Sequence, residues 1–205
     1  YQTVHDEFLA DADEHRGVEL LAVFVHGPGG IYTTDEPVDS IGDVEGKKMR
    51  VGGGLANMVA QRLGMVPVSA PSPQVYEILA NGVADGILFP PESVPFFGID
   101  EVLAHGTEVP GGLYNTSFFM IMNEDTWNGL SEEDKAAIEE VSGVALARRA
   151  GQAWDAADAA GRAAMAEAGS ALTTADEDFV AEVRAALEGI DQVFLDAAAE
   201  KGIDG

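Results

Sequence analysis

The sequence has 205 residues, 46% of them hydrophobic and 7% aromatic, and it contains no cysteine. This length and composition allow one large core or two small ones, which excludes a disordered tail and a disulfide-stabilised miniprotein, and the lack of cysteine excludes thiolate chemistry and Cys-ligated zinc. The formal net charge of −25 argues against nucleic acid and anionic lipid as partners, because both are bound by concentrated Lys and Arg.

Apolar runs in the sequence are short. The longest, such as residues 20–25, fall far below the roughly 18 residues that a transmembrane helix needs. The first residues also lack the charged-then-apolar pattern of a secretion signal. We therefore expect a mature, soluble chain.

The chain opens on a helical pattern. Residues 1–15 carry apolar side chains at helical spacing, and residues 18–25 (VELLAVFV) are typical of a short buried strand. A complete domain seldom begins inside a helix without a cap. We therefore expect further residues ahead of Tyr1.

The next part of the chain alternates strands with helices. Residues 43–63 predict a strand that leads through three glycines into a helix, and residues 64–68 predict a second strand. Ser72 and Pro73 are a typical helix start before residues 74–80, and residues 83–89 are strand-like. This alternation predicts an α/β fold with largely parallel sheets.

The last part of the sequence is mainly helical. A β-prone segment, residues 113–123, precedes a capping-box pattern at residues 131–134. The apolar stripe that follows predicts one very long helix over residues 132–168, with bends possible at its glycines, including Gly143. A final helix is predicted over residues 176–199.

No pattern in the sequence indicates catalysis. The four histidines are scattered without the spacing of metal ligands, and no G-x-S-x-G motif supplies a nucleophile. The sequence therefore predicts neither a catalytic residue nor a bound metal or cofactor.

The best local signal is the segment 49–57 (MRVGGGLAN), where a strand delivers three glycines to a helix start. Such a turn exposes backbone N–H groups to an anion, which is compatible with dinucleotide binding at Gly52–Gly54, although Asn57 stands where the G-x-G-x-x-G pattern needs glycine. A second hypothesis adds Arg50, whose planar guanidinium matches a carboxylate bidentately. A third is a surface arginine that pairs with one of the many acids.

In order along nearly the whole chain, the sequence resembles the solute-binding proteins of TRAP (tripartite ATP-independent periplasmic) transporters. The resemblance is carried by residues 40–51 (SIGDVEGKKMRV), 63–68 (LGMVPV), 74–86 (QVYEILANGVADG) and 119–123 (FMIMN) with Trp127 and Leu130.

The resemblance implies a periplasmic-binding-protein-like fold with two α/β domains, a hinge and a long domain-spanning helix. Residues 1–27 and 116–155 would be the remainder of the N-terminal domain with the hinge strand and long helix, and residues 28–115 and 156–205 the C-terminal domain. It also implies a periplasmic, monomeric receptor, not an enzyme, that delivers a small organic carboxylate to a TRAP membrane permease. The alternative is a nucleotide-dependent α/β enzyme that uses the Gly52–Gly54 turn.

The family's carboxylate-clamping arginine falls on Arg50, and Ser72 falls where members present a ligand-facing side chain. Phe89 stands where the sialic-acid branch has a polar asparagine, and Leu88 where a metal-coordinating branch has a glutamate. We therefore expect no metal and a ligand of the aromatic or otherwise apolar carboxylates. The expected ligand-binding residues are Arg50, Gly53, Gly54, Ser72, Phe89 and Glu92.

Overall fold

The computed structural model of the protein describes residues 1–12, 14–200 and 202. Its strands are β1 (Val18–Val25), β2 (Gly30–Thr33), β3 (Lys48–Val51), β4 (Val66–Ser69), β5 (Gly86–Phe89), β6 (His105–Glu108), β7 (Ser117–Asn123) and β8 (Ala171–Thr174). Its α-helices are α1 (Gln2–Val4), α2 (Gly54–Arg62), α3 (Val75–Ala80), α4 (Ser93–Phe96), α5 (Glu124–Asn128), α6 (Glu132–Val141), α7 (Gly143–Ala168), α8 (Glu177–Ala186) and α9 (Gln192–Glu200). Tighter or wider helical turns cover Ala10–Ala12, Ile41–Asp43 and Ser72–Gln74 (3-10) and His5–Leu9 (π).

The chain divides into two compact units. Unit 1 contains Tyr1–His26, Thr116–Asp155 and the described residues from Asp196 onward, and unit 2 contains Gly27–Asn115 and Ala156–Leu195. The hinge expected between two domains stays a prediction.

Unit 1 is built on a two-stranded antiparallel sheet. Strands β1 and β7 pair from Val18 opposite Asn123 to Val25 opposite Ser117, with a register shift after Leu20. Aromatic and branched side chains are enriched in strands and stabilise a sheet as cross-strand pairs, so the residues of both segments favour this arrangement.

Unit 2 contains a six-stranded sheet in the order β4-β3-β5-β2-β6-β8. Strand β3 runs parallel to β4 and β5, and β6 runs parallel to β8, whereas β2 is antiparallel to both of its neighbours. The α/β prediction is confirmed, but the expectation of a largely parallel sheet is corrected to a mixed one. Strand β2 was not predicted because it is short and follows a run of glycine and proline.

Two clusters of buried side chains pack on this sheet. Successive side chains of a strand point to opposite faces of the sheet, so neighbouring residues of one strand belong to different clusters. Met49 and Val51 belong to the first cluster, whereas Ile87 and Phe89 belong to the second. Arg50, which lies between Met49 and Val51 and opposite Ile87 in the register of β3 and β5, therefore points to the second face.

The helix predicted over residues 132–168 is interrupted where Gly143 was named as a possible bend. Helix α6 ends at Val141, Ser142 is extended (φ −89°, ψ −171°), and α7 begins at Gly143 with φ +58°. The Ser142 hydroxyl donates to the carbonyl oxygen of Ile138 at 2.7 Å, which ties off the end of α6. A positive φ suits glycine, so the expected bend is confirmed as a break, and the prediction of one continuous helix is wrong.

Two other helix predictions also need correction. The final helix is divided into α8 and α9, with Gly189 (φ +71°) between them. The opening helix is an α-helical turn followed by π and 3-10 turns, which end at Ala12. Among the described residues, no helix combines the length and the apolar character needed to cross a bilayer.

Candidate functional site

Arg50 is the most deeply buried cation of unit 2 and lies one residue before the end of β3. It is 1% exposed, and its neighbours in the sheet are Val68 of β4 and Ile87 of β5. In open α/β sheets, ligands bind outside the carboxyl ends of parallel strands, which is the edge where Arg50 lies.

Hydrogen bonds hold one edge of the Arg50 guanidinium. Its Nε and Nη2 both donate to the carbonyl oxygen of Ala70, at 2.9 and 2.5 Å, and Nη2 also donates to Ser72 Oγ at 3.2 Å. The guanidinium carbon lies 4.9 Å from the centre of the Phe89 ring, a cation–π distance. The structure therefore brings together three of the predicted site residues, Arg50, Ser72 and Phe89.

The Arg50 charge has no acidic partner among the described residues. Burial lowers the pKa of Arg50, and the opposing electrostatic effect comes from Tyr114 rather than from a carboxylate. Nη1 makes no hydrogen bond within the described part of the chain. In that part, Tyr32 Oη is the one side-chain N or O atom that is both fully enclosed and without a hydrogen bond, so Nη1 is not fully enclosed. Nη1 therefore keeps an accessible surface and two N–H donors for an anion.

The glycines after β3 leave open space at the carboxyl end of this strand. A Cβ atom at Gly52 would lie 4.0 Å from Arg50 Nη2, and a Cβ at Gly53 or Gly54 would meet no atom within 4 Å. Gly53 (φ +103°) precedes helix α2 and Gly54 (φ +53°) begins it, so both backbone conformations suit glycine. Free N–H groups at a helix start favour an anion.

Glu92 lies apart from the contacts that Arg50 makes. Its backbone N–H donates to Asp158 Oδ1 at 3.2 Å, and its carboxylate accepts from the Ser93 hydroxyl. Burial, together with the nearby Asp158 carboxylate, raises the pKa of Glu92, although the Ser93 hydrogen bond opposes the shift. Its predicted role in ligand binding stays a prediction.

Sequence reasoning missed three residues of this region. Ala70 contributes a backbone carbonyl, which leaves no mark in a sequence. Tyr114 is 8% exposed, and burial raises its pKa well above the usual range while Arg50 lowers it, so the hydroxyl stays protonated. Phe97 stacks on Phe89, with ring centres 5.6 Å apart. The Phe-Phe pair at residues 96–97 is the sequence signal that could have indicated it.

Among the described residues, no group of three or more His, Cys, Asp or Glu side chains is placed to hold a metal ion. The chemistry that the arrangement around Arg50 allows is the capture of an anion. No nucleophile paired with a base is present among its described contacts.

A family model described as bacterial extracellular solute-binding protein, family 7, matches residues 2–196. Among curated proteins, the outer membrane transporter protein TsaT of Comamonas testosteroni is 29% identical over 202 residues, covering 98% of this chain and 60% of that protein. The ectoine-binding periplasmic protein TeaA of Halomonas elongata is 29% identical over 133 residues, covering 64% of this chain and 38% of that protein.

Solved structures of TRAP solute-binding proteins match in fold as well. One from Bordetella bronchiseptica, with bound (R)- and (S)-mandelate, is 44% identical with a TM-score of 0.94 and covers 99% of this chain and 64% of that one. One from a marine metagenome, specific for aromatic acid ligands, is 35% identical with a TM-score of 0.92 and covers 99% of this chain and 64% of that one.

The chain thus spans about three fifths of the length of these relatives, 60% for TsaT and 64% for the two structures. The matches confirm the periplasmic-binding-protein-like fold and the resemblance to TRAP solute-binding proteins. Because the family model covers nearly the whole chain, the protein belongs to family 7 of the bacterial extracellular solute-binding proteins.

Proposed function

We propose that this chain is the carboxylate-binding part of an extracytoplasmic receptor, which captures a small aromatic acid and delivers it to a TRAP membrane permease. The observation that carries the proposal is the buried Arg50 guanidinium, which has no acidic partner among the described residues. A buried charge without a partner is costly, and a ligand carboxylate would supply the missing opposite charge.

The Arg50 geometry supports a carboxylate in particular. Nε and Nη2 are engaged by Ala70, Nη1 makes no hydrogen bond within the described residues, and a Cβ at Gly52 would lie 4.0 Å from Nη2. A carboxylate could accept from Nη1 and from backbone N–H groups at the start of α2, and charge-assisted bonds of this kind are about twice as strong as neutral ones. Ser72 would hold the guanidinium and offer its hydroxyl.

Two observations support an aromatic acid over a sugar acid. Phe89 places an apolar ring next to Arg50, and the solved relatives at 44% and 35% identity are described with mandelate and with aromatic acids. Relatives with bound glucuronate are 27% and 26% identical to this chain. We include Glu92, three residues after Phe89 in the sequence, in the proposed site as a further polar group.

The receptor would act in the periplasm as a monomer and without catalysis. The family description and the TRAP neighbours support the extracytoplasmic location and the receptor role. The rival function, a nucleotide-dependent enzyme built on Gly52–Gly54, predicts binding of a dinucleotide instead.

Calorimetric titration of the full chain tests the proposal. Benzoate and mandelate should bind, whereas glucuronate, ectoine, NAD and NADP should bind at least tenfold more weakly. Preference for glucuronate would refute the aromatic class, and binding of a dinucleotide without any carboxylate would refute the receptor function.

A further inference from the structure

A row of three phenylalanine side chains extends from Arg50 through unit 2. The Phe89 ring lies 4.9 Å from the guanidinium carbon, Phe97 stacks on Phe89 (5.6 Å between centres, 27° between planes), and Phe96 meets Phe97 edge-on (4.9 Å, 83°). We propose that Phe97 is a positioning residue, which acts through Phe89 to set the orientation of the Arg50 guanidinium. This inference rests on the proposed function, because two of its tests measure affinity for a carboxylate.

The hydrogen bonds of Arg50 need such a support. Two of the three converge on a single acceptor, the carbonyl oxygen of Ala70. Bonds to one atom fix the position of a guanidinium edge but restrain the tilt of its plane weakly. The third bond, to Ser72, is long at 3.2 Å. The Phe89 ring is therefore the contact best placed to limit the tilt.

Phe89 is in turn held mainly by protein atoms. It is 7% exposed, so protein atoms cover most of its surface. Stacked aromatic pairs contribute beyond the area that they bury, and the Phe97 ring supplies that contact.

The backbone brings Phe97 back to the strand end where Phe89 lies. Strand β5 ends at Phe89, two prolines follow, and the single turn of α4 leads to Phe97, whose N–H donates to the Ser93 carbonyl at 3.1 Å. Gly98 (φ +64°) and a bond from Ile99 N–H to the Val94 carbonyl then close the turn. Phe97 is thus anchored on both sides in sequence.

A hydrogen bond from Nη1 to a carboxylate that is also held by backbone N–H groups requires the guanidinium to lie within about 10–20° of the productive orientation. Loss of the Phe97 ring should therefore weaken binding of every carboxylate, whatever its organic part. A Phe97 that touched the ligand directly would instead weaken aromatic acids selectively.

The first experiment compares variants of the full chain by calorimetry with benzoate and cyclohexanecarboxylate. Phe97→Leu should weaken both by a similar threefold to tenfold, the size of an aromatic pair contact. Phe97→Tyr keeps the ring and should stay within twofold of the wild type. Phe194→Leu is the matched control, because Phe194 is 50% exposed and lies outside this row, and it should also stay within twofold. A loss confined to benzoate would overturn the proposal.

A double-mutant cycle separates positioning from general damage. In an Arg50→Lys background, where the planar group is absent, Phe97→Leu should change affinity by less than twofold. If the full loss persists in that background, Phe97 does not act through Arg50 and the inference is wrong.

A ligand-free measurement keeps the inference distinct from the proposed function. With ¹⁵N-labelled arginine, Phe97→Leu should broaden the Arg50 Nε–H signal or speed its hydrogen exchange, while the signal of Arg62, which is exposed, stays unchanged. An unaltered Arg50 signal would refute positioning. If the wild type binds no carboxylate, the proposed function fails, and this signal still decides the role of Phe97.

Discussion

Replacing Arg50 by methionine should reduce ligand stabilisation to about a third or less and leave the ligand-free protein folded. The change removes the charge and keeps a long apolar stem in a site that is 1% exposed. Each hydrogen bond lost from a charged group costs about 1.5–3 kcal/mol. Burial of an unpaired guanidinium costs several kcal/mol, and this cost also disappears. The two terms oppose each other, so the ligand-free free energy of unfolding should change by less than about 2 kcal/mol.

Binding should respond much more strongly. Removing one partner of a buried, hydrogen-bonded charge pair costs about 2–5 kcal/mol, which is a loss of roughly thirtyfold or more in affinity. At a ligand concentration 100 times the wild-type Kd, bound ligand stabilises the wild type by about 2.7 kcal/mol, and a thirtyfold weaker variant by about 0.9 kcal/mol. For a chain of this size the ligand-induced rise in Tm should fall from roughly 5–11 °C to about 2–4 °C.

Thermal denaturation with and without benzoate measures both quantities, and circular dichroism confirms folding. Arg50→Lys is the matched control, because it keeps the positive charge and loses the planar fork. It should retain less than a tenth of the wild-type affinity. A folded Arg50→Met protein with the wild-type ligand-induced shift in Tm would show that Arg50 is not the anchor.

Three further changes test other parts of the structure. Ser72→Ala removes an acceptor of Arg50 Nη2 and should weaken benzoate binding about tenfold, about 1.4 kcal/mol, by calorimetry; wild-type affinity would exclude a role for the hydroxyl. The pKa of Glu92 is raised by burial and then by a neighbouring carboxylate. Protonated Glu92 therefore contributes stability below the pKa that it has in the unfolded chain, and this contribution is lost as the pH rises through its pKa in the folded protein. Glu92→Gln should therefore raise the ligand-free Tm at pH 7 and have little effect near pH 4, and an equal effect at both pH values would contradict this. On α7, Gly161→Ala places a Cβ 2.4 Å from a backbone carbonyl oxygen and should lower the free energy of unfolding by about 1–3 kcal/mol. In the control variant Gly151→Ala the added Cβ meets no atom within 4 Å, and the free energy of unfolding should rise by up to about 1 kcal/mol. Urea denaturation measures both changes. Equal effects at the two glycines would refute the packing argument.

The strand, turn and helix around Arg50 could be predicted because local signals agree there. A short strand-like segment, three glycines and a helical pattern follow each other within residues 49–63, and the structure has β3 and α2 in those places. Ser72 and Phe89 were expected in the ligand site because of the resemblance to TRAP solute-binding proteins, not because of their spacing in the sequence. Local chemistry alone left Arg50 between an anion anchor and a surface ion pair; its burial argues against the surface ion pair, and its role as an anchor stays a prediction.

Other parts depend on long-range contacts that a single sequence does not carry. Strands β6 and β8 have four residues each and little apolar content, and they are stable because they pair with each other. The Ala70 carbonyl has no side-chain signature, and Phe97 reaches Phe89 through the single turn of α4 that follows two prolines.

The order of strands in unit 2 also governs how this unit can form during synthesis. Thr107 of β6 and Thr173 of β8 are hydrogen-bonded but lie 66 residues apart, and most of the intervening chain belongs to unit 1. At about 5–20 residues per second, the ribosome leaves the edge of β6 unpaired for roughly 3–13 seconds. During that interval an open edge can pair with another chain. Slowing translation after Glu108 should therefore increase aggregation of the nascent protein more than slowing it after Thr174.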